Sequence, residues 1–241
     1  MDFDDLDELD PVEFADPSTE ERELGIVVYG ASGYVGGLIV EQLDAMFSRP
    51  GAKCHAWGLA GRNKEKIRAV ARRCQTAPTV IQAAEPVEIS QMVGRARVVI
   101  MAAGPSCACG EDVLRECINQ VTHYVDITSE VAWMHDMVGK YHARAREKGA
   151  VAVLSAGGVA APGDVMCYRL ARALGPLKQY REYFRQAGGV SGGVVDARLA
   201  AAAELTPERL AAVGDPFSLG GRPPCGARAG DGDARGAESD A

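Results

Sequence analysis

The chain has 241 residues, 47% of them hydrophobic, which is enough for one large globular domain with a buried core. No stretch approaches the roughly 18 apolar residues of a membrane span, and no clustered basic and aromatic surface favours nucleic-acid binding. The net charge of −7 is unevenly distributed, because residues 1–23 carry eleven acidic side chains against Arg22 alone. We predict an acidic disordered leader there, which is neither a secretory signal nor a mitochondrial presequence.

The seven cysteines are scattered along the chain without a framework of regular spacings. An odd number of cysteines with no export signal indicates reduced thiols, and we expect a cytoplasmic location. Cys107 and Cys109 form a close pair, but no second pair and no histidine at ligand spacing lies nearby. No metal site is therefore predicted.

Strands and helices alternate in the sequence from residue 25 to residue 155. Apolar runs predict strands, and apolar residues at helical spacing predict the helices between them. The predicted strands are 25–29, 54–60, 79–83, 98–103, 123–128 and 151–155, and the predicted helices are 34–47, 63–73, 87–93, 111–119 and 131–147. This alternation predicts an α/β fold, a Rossmann-type doubly wound parallel sheet of about six strands that fills residues 24–158.

The composition changes after this sheet. We predict a helix at 164–174, a strand at 179–186, a loop at 188–193, an Ala-rich helix at 194–205, and a last short helix capped by Thr206. Residues 159–219 are thus interpreted as the start of a smaller mixed α/β domain for substrate or dimerisation. Residues 220–241, rich in Gly, Ala and Arg, are predicted to be a disordered tail.

The glycine-rich stretch "GASGYVGG" follows the first predicted strand and opens the first predicted helix. In this order Gly30 permits a tight turn, Gly33 lets backbone N–H groups approach a pyrophosphate, and Gly36 allows close packing of helix on strand. The phosphates would lie at the positive end of the helix dipole. We predict dinucleotide binding, with a structural turn as the alternative. The predicted contacts are Gly30, Ser32, Gly33, Tyr34, Val35 and Gly36.

The end of the second predicted strand indicates which dinucleotide binds. An acidic residue there would hold the ribose 2′-hydroxyl of NAD, whereas this chain has Arg62, Asn63 and Lys64, which suit the 2′-phosphate of NADP. NADP is predicted over NAD, with Arg62 and Asn63 as contacts; the alternative is a solvated helix start. The small residues Ala103 and Gly104 are predicted to leave room for the nicotinamide side of the cofactor. The alternative is that they form a structural turn.

No catalytic residue stands out from the sequence. Asp126 is predicted to contact the cofactor; Thr128 and Glu130 either contact ligand or cap structural elements. His123 begins the fifth predicted strand, away from the cleft, and is interpreted as structural. His135 and His142 lie seven residues apart on one predicted helix and are expected to decorate its face rather than form a dyad.

Several stretches together resemble one family, the saccharopine dehydrogenase-like oxidoreductases, which include trans-acting enoyl reductases. The resemblance runs from about residue 25 to residue 164. It rests on "GASGYVGGLIVEQL", "WGLAGRNKEKI", "VVIMAAGP", "GEDVLRECI", "THYVDIT" and "YHARAREKGAVAVLSAGG". It implies an NAD(P)-binding Rossmann domain followed by a substrate domain, a small-molecule or lipid-linked substrate, a possible homodimer, and association with lipid droplets or mitochondria as an alternative location.

The sequence also departs from the family pattern. Ser106 stands where relatives have an aromatic residue, and residues 157–164 keep only the Gly, Pro and last Asp of the pattern G-F-D-S-I-P-S-D. The substrate domain is short, so we expect a truncated or divergent member. Two hypotheses follow: an NADP-dependent oxidoreductase acting on an amino-acid-like or lipid-linked substrate, or a catalytically inactive nucleotide-binding remnant that acts as a binding protein.

Overall fold

A computed structural model describes residues 22–52, 56–158, 160–185, 187–215 and 218–219. The predicted tail at 220–241 and the leader up to residue 21 lie outside the described residues. None of the described helices combines the length and the apolar character needed to cross a bilayer.

The centre of the fold is a six-stranded sheet in which every neighbouring pair of strands is parallel. The strand order is β3-β2-β1-β4-β5-β6, the doubly wound order, and it confirms the predicted fold class. The strands are β1 (Leu24–Tyr29), β2 (Trp57–Gly61), β3 (Thr79–Gln82), β4 (Ala96–Met101), β5 (His123–Asp126) and β6 (Ala152–Val153).

Five helices connect these strands and cover the two faces of the sheet. They are α1 (Tyr34–Phe47), α2 (Lys64–Ala71), α3 (Pro86–Arg95), α4 (Ser106–Asn119) and α5 (Val131–Lys148). On one face Val28 packs with α1 and α2, and on the other Val27 packs with α3, α4 and α5. Burial on both faces explains why the central strands have continuous apolar runs rather than alternating ones.

In the described part of the chain three helices follow the sheet, α6 (Ala161–Leu174), α7 (Gly192–Ala203) and α8 (Pro207–Gly214). The strand predicted at 179–186 is wrong over its described part, since residues 179–185 form neither strand nor helix. Its aromatic residues Tyr183 and Phe184 are 86% and 75% exposed, so they have no core to pack into. Residues that prefer an extended backbone do not form a strand unless a neighbouring strand pairs with them.

The last two helices pack back onto the sheet domain. Helix α8 contacts α5, and α7 contacts α4. One guanidinium joins them: Arg209 pairs with Asp136 of α5 at 2.8 Å and with Glu204 after α7 at 2.7 Å. Thr206 caps α8 as predicted, because its side-chain oxygen accepts a hydrogen bond from the N–H of Arg209.

Candidate cofactor-binding site

The glycine-rich turn lies between the carboxyl ends of β1, β2 and β4. Gly30 has φ +88°, a conformation that favours glycine, and a Cβ there would lie 2.5 Å from the backbone nitrogen of Ala103. Its N–H donates to the carbonyl of Ala60 at 2.9 Å, while Ala102 N–H donates to the carbonyl of Tyr29 at 2.8 Å. The turn is therefore fixed at the point where the strand order reverses, the usual ligand crevice of such sheets.

The remaining glycines of the motif have distinct surroundings. A Cβ on Gly36 would overlap the carbonyl oxygen of Gly30, so the close packing predicted for Gly36 is present. Gly33 donates its N–H to that same carbonyl at 2.9 Å. A Cβ on Gly33 would meet only that oxygen, at 3.3 Å, and the rest of its surroundings is open. The open side agrees with close approach of a ligand to this backbone.

The N-terminus of α1 is suited to an anion. Gly33 is its N-cap residue and supplies no side-chain oxygen, and the first turn contains no acidic residue. Among the described residues no side chain therefore caps the first N–H groups of the helix, to which Tyr34 and Val35 contribute. Ser32 and Tyr34 are exposed beside them. These donors and the helix dipole favour a phosphate here.

The N-terminus of α4, which follows β4, is already occupied by an anionic group. The carboxylate of Glu130 accepts hydrogen bonds from the N–H groups of Ser106 at 2.7 Å and Cys107 at 2.9 Å. Thr128 in turn accepts a hydrogen bond from the N–H of Glu130 through its hydroxyl, at 3.2 Å. Both side chains thus have the capping role that the sequence left open. Glu130 thus fills the anion position at the N-terminus of α4, which leaves the N-terminus of α1 as the candidate phosphate site.

Asp126 lies at the end of β5 with only 1% of its surface exposed. Its Oδ1 accepts hydrogen bonds from the N–H groups of Ser155 at 2.7 Å and Thr128 at 3.1 Å, and Oδ2 accepts from the Tyr124 hydroxyl at 3.0 Å. Burial raises the pKa of Asp126, and these hydrogen bonds oppose the rise. The described contacts of Asp126 are internal to the protein, and its contact with a cofactor stays a prediction.

The residues predicted to recognise the 2′-phosphate follow β2 directly. Arg62 is exposed. Burial raises the pKa values of Tyr29 and Cys109, and the positive charge of Arg62 partly offsets this rise. Asn63 is the N-cap of α2, and its Oδ1 accepts the N–H of Lys66 at 3.0 Å. No carboxylate takes the place at the end of β2 where an NAD-specific site needs one.

The short connection from β4 to α4 contains the two residues predicted to lie on the nicotinamide side of the cofactor. Ala103 and Gly104 lie in it, before a cis bond between Gly104 and Pro105. A Cβ on Gly104 would meet nothing within 4 Å, so there is open space beside this backbone. The sequence-predicted contacts on β1, β2 and β4 thus meet at one edge of the sheet.

The other candidate side chains have structural or surface positions. His123 accepts a hydrogen bond from the N–H of Val151 through Nδ1 at 3.2 Å, which agrees with the structural role expected for it. His135 and His142 are exposed on α5. The Cys109 thiol donates to the carbonyl of Pro105 at 3.2 Å. Burial and the neighbouring Glu130 carboxylate raise the pKa of Cys107 to about 11, so this thiol is protonated at neutral pH.

Comparison with known proteins identifies the family. The family model described as the saccharopine dehydrogenase NADP binding domain matches residues 26–153, which is more than half of the chain. The chain belongs to this family. Its sheet domain is an NADP-binding domain, in agreement with the predicted preference for NADP over NAD and with the resemblance seen in the sequence motifs.

Two curated members of the family show the extent of the similarity. A bovine (Bos taurus) saccharopine dehydrogenase-like oxidoreductase is 29% identical over 73% of this chain and 44% of its own length. A trans-acting enoyl reductase of Mycobacterium leprae is 32% identical over 84% of this chain and 50% of its own length. The chain therefore spans about half the length of the curated relatives that it matches.

A solved structure of the same family gives a weaker match. The saccharopine dehydrogenase (L-Glu forming) of Saccharomyces cerevisiae is 15% identical over 62% of this chain and 30% of its own chain, with a TM-score of 0.42.

Proposed function

We propose that the chain binds NADPH in an extended form across the carboxyl edge of the sheet. The observation that supports this proposal is the N-terminus of α1, whose N-cap residue supplies no side-chain hydrogen bond. It follows a turn in which Gly30 and Gly36 have no room for a side chain. The pyrophosphate is assigned to the N–H groups between Gly33 and Gly36, and the 2′-phosphate to Arg62 and Asn63. The nicotinamide side is assigned to Ala103 and Gly104.

We further propose that the protein is an oxidoreductase that uses this cofactor for hydride transfer. When bound, the cofactor would supply or accept the hydride, and the protein would hold the nicotinamide side against the β4 to α4 connection. Glu130 fixes this connection by capping α4, and Asp126 fixes the end of β5 beside it. The similarity to a saccharopine dehydrogenase-like oxidoreductase and to a trans-acting enoyl reductase supports an amino-acid-like substrate such as saccharopine or a lipid-linked enoyl substrate. A homodimer and a cytoplasmic location stay predictions.

The binding proposal is tested by titrating the purified full chain with NADPH and, separately, with NADH. Arg62→Ala should weaken NADPH binding about 10- to 100-fold, since a hydrogen bond to a charged group contributes about 1.5–3 kcal/mol. The same variant should leave NADH binding nearly unchanged. Arg72→Ala, at the other end of α2, is the matched control and should bind NADPH like the wild type. Failure of the wild type to bind either cofactor would refute the proposal.

The activity proposal has its own test. Full chain with NADP⁺ and saccharopine, or with NADPH and an enoyl ester, is assayed by the absorbance of the reduced nicotinamide. Turnover of one substrate that is lost in Gly36→Ala supports the oxidoreductase and identifies its substrate class. Tight NADPH binding without turnover of either substrate would support the alternative, a nucleotide-binding protein that acts through binding.

A further inference from the structure

An apolar groove of about 310 Å³ lies between α4, α5 and the chain around β6. Met137, Tyr141 and Ala145 of α5 line it at intervals of four residues, so they form one continuous stripe of the helix. Leu114 and Ile118, also four residues apart, line it from α4. The groove is separate from the glycine turn, which lies at the end of β1.

The border of this groove is basic. His142 and Arg146 line it from α5, one position after the apolar stripe. Within the part of the chain that the structure describes, Arg146 forms no ion pair with a carboxylate. Lys148 lies at the end of the same helix, and its Nζ donates to the carbonyl of Asn119 at 3.0 Å. An apolar groove with an unpaired cation is complementary to a peptide that carries both apolar side chains and carboxylates.

The described chain begins near the C-terminal end of α4, one of the two helices that line this groove. The guanidinium of Arg22 donates to the carbonyl of Gln120 at 2.7 Å, and also to that of Gly94. Gln120 is the C-cap of α4 and follows Ile118 of the groove by two residues. Residues 1–21 are therefore joined to the fold near the C-terminal end of α4, which Lys148 also contacts through the carbonyl of Asn119.

The composition of residues 1–21 matches the groove. They contain ten acidic side chains and no Lys or Arg, and their larger apolar residues are Phe3, Leu6, Leu9, Val12 and Phe14. A segment of this length reaches up to about 70 Å when extended. The groove side of α5 from Met137 to Arg146 is only about 14 Å long. Covalent connection raises the effective concentration of such a segment to roughly the millimolar range, so modest contacts suffice for binding.

We propose that residues 1–21 bind as an acidic peptide in this groove of the same chain. Phe3, Leu6 and Leu9 are placed against the apolar stripe of α5, and the neighbouring carboxylates pair with Arg146 and His142. The binding weakens as salt screens these exposed charges. This inference does not depend on cofactor binding or on turnover, and it assigns an occupant to a surface that the nucleotide site does not use.

The test is zero-length carbodiimide cross-linking of the full chain, followed by mapping of the linked peptides by mass spectrometry. Links from carboxylates of residues 1–21 should concentrate on Lys148 and be rare on Lys64 and Lys178, which are also exposed. The link between Lys140 and Glu111, whose atoms lie 3.2 Å apart, is the internal reference for reaction yield.

Variants on both sides of the contact make the test specific. Arg146→Glu and the triple variant Phe3→Ser, Leu6→Ser, Leu9→Ser should each lower the Lys148 link about tenfold relative to the reference link. Arg144→Glu, an exposed position on the same helix outside the groove, should leave it unchanged. Links spread evenly over all lysines, or insensitive to Arg146→Glu, would overturn the proposal. So would Lys148 links that join an isotope-labelled chain to an unlabelled one, because the occupant would then be a second copy.

Discussion

The carboxylate of Glu130 accepts a hydrogen bond of 2.7 Å from the backbone N–H of Ser106, at the start of α4. Glu130 is itself the N-cap residue of α5, but its side chain does not cap that helix. One residue therefore begins α5 with its backbone and caps α4 with its side chain. This arrangement ties together the two loops that follow β4 and β5 beside the proposed nicotinamide position.

Glu130→Ala should destabilise the fold. It leaves the buried N–H of Ser106 and that of Cys107 without an acceptor and removes a negative charge from a helix N-terminus, at a cost of about 1–3 kcal/mol in the free energy of unfolding. Glu130→Gln should cost less, since its amide oxygen still accepts a hydrogen bond. Urea denaturation measures both. Glu147→Ala, at an exposed position of α5, is the control and should stay within about 0.5 kcal/mol of the wild type.

The same contact should control the reactivity of Cys107. Burial and the Glu130 carboxylate hold the pKa of this thiol at about 11, so removal of the negative charge in Glu130→Gln should lower the pKa. Alkylation by iodoacetamide at pH 8 should then be several-fold faster at Cys107, because the thiolate is the reacting form.

Cys74 serves as the internal reference for this alkylation, since the carboxylate that acts on its thiol is that of Asp44 and not that of Glu130. General loosening of the fold would accelerate both cysteines equally. An unchanged ratio of the two rates in Glu130→Gln would show that the carboxylate does not act on the Cys107 thiol.

Adjacent glycines of α1 should respond in opposite ways to the same substitution. Gly36→Ala places a methyl group against the carbonyl of Gly30 and should lower the free energy of unfolding by about 1–3 kcal/mol. Gly37→Ala places it in open space within the helix and should raise stability by about 0.5–1 kcal/mol. Thermal unfolding with and without NADPH checks both variants. Stabilisation by NADPH should be lost in Gly36→Ala and kept in Gly37→Ala, and equal behaviour of the two would contradict the packing argument.

The sheet could be predicted from the sequence because its signal is local. The unbroken apolar run before Ala102 is what a strand buried on both faces requires, and β4 forms there. The glycine order after Tyr29 likewise specifies a turn, since Gly30 needs a positive φ and Gly36 needs the absence of a side chain. Each of these requirements involves residues close together in the sequence or belonging to one βα unit.

Long-range contacts could not be predicted in the same way. Helix α4 begins at Ser106, five residues before its predicted start, and the acceptor for its first N–H groups is a carboxylate 24 residues away. Thr128 and Glu130 are recognised in the sequence as candidates for a helix cap. The residues around them do not indicate which helix Glu130 would cap. The strand predicted at 179–186 is wrong for the opposite reason. Its residues favour an extended backbone locally, but no strand of the described chain pairs with residues 179–185.

Asp126 makes the stability of the protein depend on pH with an unusual sign for a carboxylate. Burial raises its pKa in the folded state above the unfolded value, so the folded protein binds a proton more readily. The stability that this group contributes is present at pH below its unfolded pKa, and it is lost as the pH rises through the folded pKa. Relative to a variant that cannot ionise at this position, the wild type should therefore weaken from about pH 4 upward.

Asp126→Asn is the suitable variant, because an amide can keep all three hydrogen bonds. Its oxygen replaces Oδ1, which accepts from Thr128 and Ser155, and its NH₂ can donate to the Tyr124 hydroxyl. Urea denaturation from pH 4 to pH 7 measures the free energy of unfolding of the wild type and of Asp126→Asn. As the pH rises, the variant should become more stable relative to the wild type. A shift in favour of the wild type would mean that the hydrogen bonds to the carboxylate outweigh its burial.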